Sequence, residues 1–492
     1  MLRWCACLLL LSTIMFALAD VKADPDRSGS NSAATLLPLT TSSAKAREDF
    51  ERAMRYFEQY RHTETLQNLR LAVKDDPDFA QALILISHLS GDPAEQAATR
   101  TRAKKLMPSV RSGEQLLIRW MAGAQENDYL PAIAAMNDLL AEYPHDQRLA
   151  FLAGRWLIDQ QRYEQAVVVL ERAVSLHPDY PAALNDLAYG YAYSGEFEKA
   201  FAAMDRYVAL QPDEPNPRDS YGELLQMDGK FEAALEQYRI SIRMDPNFGS
   251  EVGVADTYAL MGKEEDAREE YARAIVFAGS PRDKIQYELQ SAVTWIRENN
   301  RKQAEKALGE TAKHAHAAGL ARLEAEANRA LALYEPDPKS ALRSLQAGQH
   351  ALQESHEISK SDRDEEQARL LRVQASRLAE AEDLNSASQA VQQLEAMAGQ
   401  SRSQIIQLCY HGAAGTVLMA QKKFAEAISH LEEDSANPLS MRLLWKAYAA
   451  IGAGSQAQAM ASKLSGLNAP TVEQALVVPQ FRASLISQAA KP

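Results

Sequence analysis

Apolar residues recur at three- and four-residue steps on both sides of turns near Gln161, Gly195, Gly229 and Gly262. This period predicts a helix, a turn, a second helix and a stop, each helix burying one face. The motif Y-E-Q-A at 163–166 returns as F-E-K-A at 197–200, F-E-A-A at 231–234 and E-D-A ending at Ala267, spacings of 34, 34 and 33 residues. Four units therefore begin near Gln147, Pro181, Pro215 and Phe248. Each runs on to a small or medium residue (Ala173, Tyr207, Ser241, Ala274), and three of them then reach Pro178, Pro212 or Pro246. The fourth has Gly279, with Pro281 just beyond.

Side-chain size follows the same repeat. A glycine at the turn ends a helix in the left-handed conformation at little cost, and a proline closes the second helix or opens the next one. Where paired helices cross closely the side chains must be small, and those positions carry Gly154 and Ala166, Ala188 and Ala200, Gly222 and Ala234, Ala255 and Ala267. Tyr207 breaks the rule and is expected to tilt or loosen its pair. Decayed versions of the unit occupy 45–146 and 281–470, so the organisation predicted is ten to twelve helix pairs with the well-matched array at 147–280. The stretch 471–492, with Ala475 to Val478 as its apolar run, is expected to cap the exposed end.

The spacing and the small-large-small order resemble the tetratricopeptide repeat family, carried by Leu184, Leu187, Tyr191 and Met204 in the second unit and Tyr221, Leu225 and Tyr238 in the third. The third unit departs from the pattern at Arg218. The resemblance implies an all-α, right-handed α-solenoid that binds a peptide or helical segment of another protein in a concave groove lined by first helices, without catalysis. Family groove positions fall on Arg148, Phe151, Arg155, Asn185, Tyr189, Asp219, Glu223, Gln226 and Asp256. Family members that clamp terminal carboxylates use Lys and Asn at two of these positions, and this chain departs at nearly all of them. What remains is a basic-aromatic end (Arg148, Phe151, Arg155, Tyr189) leading to an acidic stretch (Asp219, Glu223, Asp256), which would suit a partner segment carrying Lys or Arg.

Charge narrows the partners further. With 53 Lys and Arg against 66 Asp and Glu in 492 residues the formal charge is −13, unsuited to a polyanionic nucleic acid as main partner. Residues 1–19 read as a secretory signal: Arg3 precedes the apolar run Leu8 to Leu18, and Ala17-Leu18-Ala19 offers small residues for cleavage. The expected product is exported to a bacterial periplasm or beyond, spans no membrane after cleavage, and has an oligomeric state the sequence leaves open. Residues 20–44, polar and rich in Ser, Thr and Ala, read as a flexible tether. Of three cysteines only Cys409 follows the leader, and a small buried core residue is its expected role.

Reactive constellations are scarce. No P-loop, dinucleotide glycine motif, G-x-S-x-G elbow or H-E-x-x-H occurs. His314 and His316, two residues apart on a helix, point away from one another, as do the neighbours Cys409 and His411. Glu264-Glu265-Asp266 is expected to be a solvated helix face. No enzyme activity, metal or cofactor is expected. Three alternatives stay open: an envelope assembly or secretion factor, the sensory half of a signalling system, and a hydrolase or metal enzyme within the divergent C-terminal half.

Overall fold

A computed structural model describes residues 36–489. The leader assigned to 1–19 and most of the tether fall outside the described residues. The described residues form 25 α-helices and one short 3-10 turn, with no strand among them.

The first pairs are α1 (Ala44–Glu58) with α2 (His62–Asp75), α3 (Ala80–Leu89) with α4 (Pro93–Leu106), and α5 (Ser112–Gln125) with α6 (Tyr129–Glu142). The well-matched array follows as α7 (Gln147–Asp159) with α8 (Tyr163–Leu176), α9 (Pro181–Tyr193) with α10 (Phe197–Leu210), α11 (Asn216–Met227) with α12 (Phe231–Met244), and α13 (Glu251–Leu260) with α14 (Glu264–Phe277). Longer helices come next: α15 (Pro281–Arg297) with α16 (Arg301–Ala317), α17 (Ala321–Tyr334) with α18 (Pro338–Glu354), and α19 (Lys360–Glu380) with α20 (Leu384–Gln400). The last pairs are α21 (Gln404–Ala420) with α22 (Phe424–Glu433) and α23 (Pro438–Ala450) with α24 (Gly454–Ser465), followed by the single helix α25 (Val472–Ala489). The fold is an all-α helical-repeat solenoid of twelve pairs and a terminal helix.

One local device makes most of the turns. Gly195, Gly229 and Gly262 adopt φ between 76° and 81°, and the next residue's N–H bonds back five positions, as in Glu196 to Tyr191 and Lys230 to Leu225. These bonds satisfy carbonyls that the ending helix would otherwise leave unpaired. Tyr60, Asn127, Gln161, Asn299, Glu382 and Lys422 take the same left-handed conformation without being glycine. Between the helices of a pair, a Cβ added at Gly154 would lie 2.4 Å from Leu170 Cγ, so only glycine fits that crossing. Ala166, Ala188, Ala200, Ala234, Ala255 and Ala267 are all fully buried, as the expected crossings require.

Three expectations need correction. Tyr207 does not loosen its pair: it is 1% exposed, and its hydroxyl donates to Asn216 Oδ1 (2.8 Å) at the start of α11. From Leu37 onward the tether is bound to the body. The Leu37 N–H donates to Asp146 (2.8 Å), Gln81 donates to the Pro38 carbonyl (2.8 Å), and Thr41 donates to Asp76. Finally, α25 is more than an end cap. It lies against α23 and α24, where Phe481 meets Trp445 edge-on, and it also packs on α15 through Ala475.

Other contacts likewise skip along the chain. Tyr129 of α6 donates to Glu365 (2.9 Å) on α19, a carboxylate that also accepts from Ser403 (2.8 Å). Asn127 donates to Asp364 (2.6 Å), and Ser401 donates back to Asn127 (2.6 Å). A repeat array has neighbour contacts by construction; these hydrogen bonds add ties between pairs remote in sequence.

Candidate functional site

Two large open spaces lie among the helices. The larger, about 1540 Å³, is lined by residues of α9, α11, α15, α17, α19, α21 and α23, together with the segment leading into α25. The smaller, about 1100 Å³, lies around the α1–α2 turn, Arg155, Trp156 and the start of α15.

The nine groove residues expected from the sequence divide unevenly between these spaces and the core. Phe151 has no exposed surface; its ring lies 5.6 Å from Phe57, 6.4 Å from Tyr60 and 5.9 Å from Tyr180, centre to centre. Asn185 and Gln226 are also buried, and Gln226 accepts from Thr257 (2.7 Å). Arg148 is held by Glu58 (2.8 Å) and Glu51 (3.4 Å) on α1. Arg155 lies over the Tyr60 ring (5.2 Å) and near Asp186 (3.6 Å).

The basic-aromatic end is thus covered by the chain's own first turn. Tyr60 donates to Asp186 (2.7 Å), and Arg61 reaches Glu214 (3.2 Å) and Asp245 (3.0 Å). In the sequence α1 and α2 belong to a separate, decayed segment, and no motif there signals this insertion, because the bonded residues are up to 184 positions apart.

The acidic stretch is spent internally as well. Tyr189 donates to Glu223 (2.6 Å), and Tyr271 donates to Asp256, which is 8% exposed. Burial pushes Asp256 and Asp219 up to about 7 and Asp186 up to about 6, the last opposed by the charge of Arg155; Glu223 is raised by burial too. Of the nine, Glu223 and Gln226 border the larger cavity and Arg155 the smaller.

A pH dependence follows. A carboxyl whose affinity for its proton rises on folding binds more proton in the folded state, so its stabilising effect is complete below the unfolded value of about 4 and fades as pH rises through the folded value. Lowering pH from about 7.5 to about 5 is therefore expected to raise thermal stability through Asp256 and Asp219. Asp256→Asn should lose part of that gain, measured as melting temperature against pH; an unchanged slope would remove Asp256 from the account.

The reactive candidates are tied down. Cys409 is buried, and burial pushes its thiol up to about 11, which leaves no thiolate at neutral pH. His411 Nδ1 lies 3.1 Å from His430 Nδ1 on α22, and burial lowers both rings. His314 and His316 pair with different carboxylates, Glu288 (2.7 Å) and Glu324 (3.0 Å). Among the described residues no group of three or more His, Cys, Asp or Glu is placed to hold a metal ion. Glu264 departs from the expected solvated face: it is 9% exposed, and burial raises it to about 7.

The larger cavity has a different character. Its aromatic side includes Tyr193, stacked on Tyr163 at 4.7 Å, and Phe197. Its charged side includes Arg372, bonded to Asp434 and Ser440, with Arg377, Arg442 and Lys446. The sequence held one weak sign of this wall: Arg369 with Arg372 and Arg442 with Lys446 stand at helical spacings of three and four.

Residues 157–224, from the end of α7 into α11, match the sequence profile of the tetratricopeptide repeat. Residues 157–224 carry tetratricopeptide repeats. The matched part covers the segment where the 34-residue spacing is strictest, and helix pairs continue on both sides of it. No curated protein matches the sequence. Among solved structures it is similar to the Cut9–Hcn1 assembly of the APC/C, at 15% identity over 85% of this chain and 79% of that one with a TM-score of 0.40. It is also similar to PilF of Pseudomonas aeruginosa (17% identity, 43% of this chain, 94% of that one, TM-score 0.30). A third is the thermophilic tetratricopeptide protein TTC0263 of Thermus thermophilus (20% identity, 47% and 99%, TM-score 0.27). Among the described residues no helix is long and apolar enough to cross a membrane.

Proposed function

We propose that this chain is an exported, non-enzymatic adaptor that holds a segment of another protein inside its helical-repeat array. The observation that carries the reading is the larger cavity of about 1540 Å³, bordered by seven first helices and open to solvent, with aromatic and charged side chains on its walls. A surface preformed on packed helices loses little conformational entropy on binding, so modest contacts accumulate into useful affinity. Export rests on the leader, in which Arg3 precedes an apolar run ending in small residues.

The groove expected over α7 to α13 is not the site proposed. Its basic-aromatic end is covered by Tyr60 and Arg61, and its Glu223 and Asp256 bond to tyrosines. The binding role moves toward α19 and α23, within the divergent region 281–470.

A photo-crosslinking residue at Tyr193, which lines the cavity and is 42% exposed, should capture a defined protein partner in cells. The same group at Leu130, which is 62% exposed and outside that lining, should not. Equal capture at both positions, or capture only at Leu130, would end the reading.

A further inference from the structure

Counting which charges in the larger cavity are already neutralised leaves a surplus of one sign. Arg329 pairs with Glu366 (2.7 Å) and Glu473 (3.3 Å), Arg369 with Glu366 (3.2 Å), Arg372 with Asp434, and Arg377 with Glu380. Those pairs consume the carboxylates of Glu380, Asp434 and Glu473 on the lining, while Glu326 lies 3.8 Å from Arg329. The remaining lining carboxylate, Glu223, accepts from Tyr189.

Three cations are left over. Arg442 forms no hydrogen bond and no ion pair with any described residue, and its Nε is buried without an acceptor. Lys446 stands one helical turn further along α23 and forms none either. Lys463 of α24 donates to the backbone carbonyl of Ser435 (3.1 Å) and meets no carboxylate. Burial weakens the hold of Arg442 on its proton, with Glu380, already bonded to Arg377, acting against that from nearby. A guanidinium stays charged at any physiological pH, so an unpaired buried donor there is a standing cost that an incoming anion removes.

We infer that the cavity wall formed by Arg442, Lys446 and Lys463 receives an acidic segment of a partner protein, its carboxylates pairing with these three cations. The inference rests on the adaptor reading and reverses the sign of partner expected from the sequence, whose acidic stretch is hydrogen-bonded within the fold. A carboxylate-bearing peptide suits it better than a nucleic acid, because three free cations in a chain of net charge −13 are too few for a polyanion's track. Arg442 can pair with a carboxylate through two parallel N–H donors, which Lys446 and Lys463 cannot. Tyr193 and Phe197 in the same cavity give the segment's apolar side chains a surface.

The test uses the full chain and fluorescence anisotropy with four labelled probes: peptides of about a dozen residues built from Glu and Ala, Lys and Ala, or Gln and Ala, and an oligothymidylate of matched charge. The Glu/Ala peptide should bind and the others should not, with affinity falling as salt rises. Arg442→Gln with Lys446→Gln should weaken binding by about tenfold or more, helix content being unchanged by circular dichroism. Arg442→Glu with Lys446→Glu should transfer preference to the Lys/Ala peptide. Arg301→Gln, outside the cavity lining, should change nothing. Undiminished binding to the glutamine variant, preference for Lys/Ala or oligothymidylate, or no binding of any probe would overturn the inference. Partner capture at Tyr193 together with any of these results would leave the adaptor reading standing; loss of capture there is what removes that reading.

Discussion

Phe151→Ala is expected to lower the unfolding free energy by about 3–5 kcal/mol, read by urea denaturation with helical circular dichroism. The sequence places Phe151 where a family groove residue would face a ligand, and there truncation would cost little stability. In the structure it has no exposed surface and is ringed by Phe57, Tyr60 and Tyr180. Removing the ring opens a cavity where α1, α7 and α9 meet, and those packed helices can close around it only in part. A loss below about 1 kcal/mol would mean that the α1–α2 turn does not sit on α7 in solution.

Arg329→Met is expected to cost a similar amount, about 3–5 kcal/mol, for an electrostatic reason. Glu366 is 1% exposed and bonds Arg329 at 2.7 Å, with Arg369 as its other cation. Taking away Arg329 leaves that carboxylate short of compensation in a site water barely reaches, and frees Glu473 at the start of α25. Adding Glu366→Leu should recover much of the loss, because a pair of apolar side chains of similar size needs no counter-charge. A double variant no more stable than Arg329→Met alone would show that the ion pair was not the source of the effect.

The legible part of the fold is the part built from short-range geometry. Gly195, Gly229 and Gly262 mark turns because a left-handed residue is cheapest as glycine, and Gly154 and Ala200 mark crossings because nothing larger fits. Turns at Tyr60, Asn299 and Lys422 were hidden because the bond back to the fifth preceding carbonyl holds the conformation whatever the side chain. The expected groove residues lie on α7, α9, α11 and α13, yet no motif in the repeat reveals what surrounds them. Tyr60 meets Asp186 across 126 positions, and no repeat motif encodes such a meeting. Arg442 and Lys446 escaped notice because they lie where the repeat has drifted, and their significance comes from the pairing of every other charge around them. Glu264 shows the same limit: a run of acids looks solvated until the packing of α13 to α15 buries its first member.

The double attachment of α25, to α23 at one end of the array and to α15 in its middle, changes how the molecule comes apart. A simple stack of helix pairs frays from its tips and tolerates shortening by a step at a time. Here the last helix is a strut, so cutting the chain before residue 472 exposes apolar surface in two places at once, and the stretch between them should melt together with the tail instead of after it.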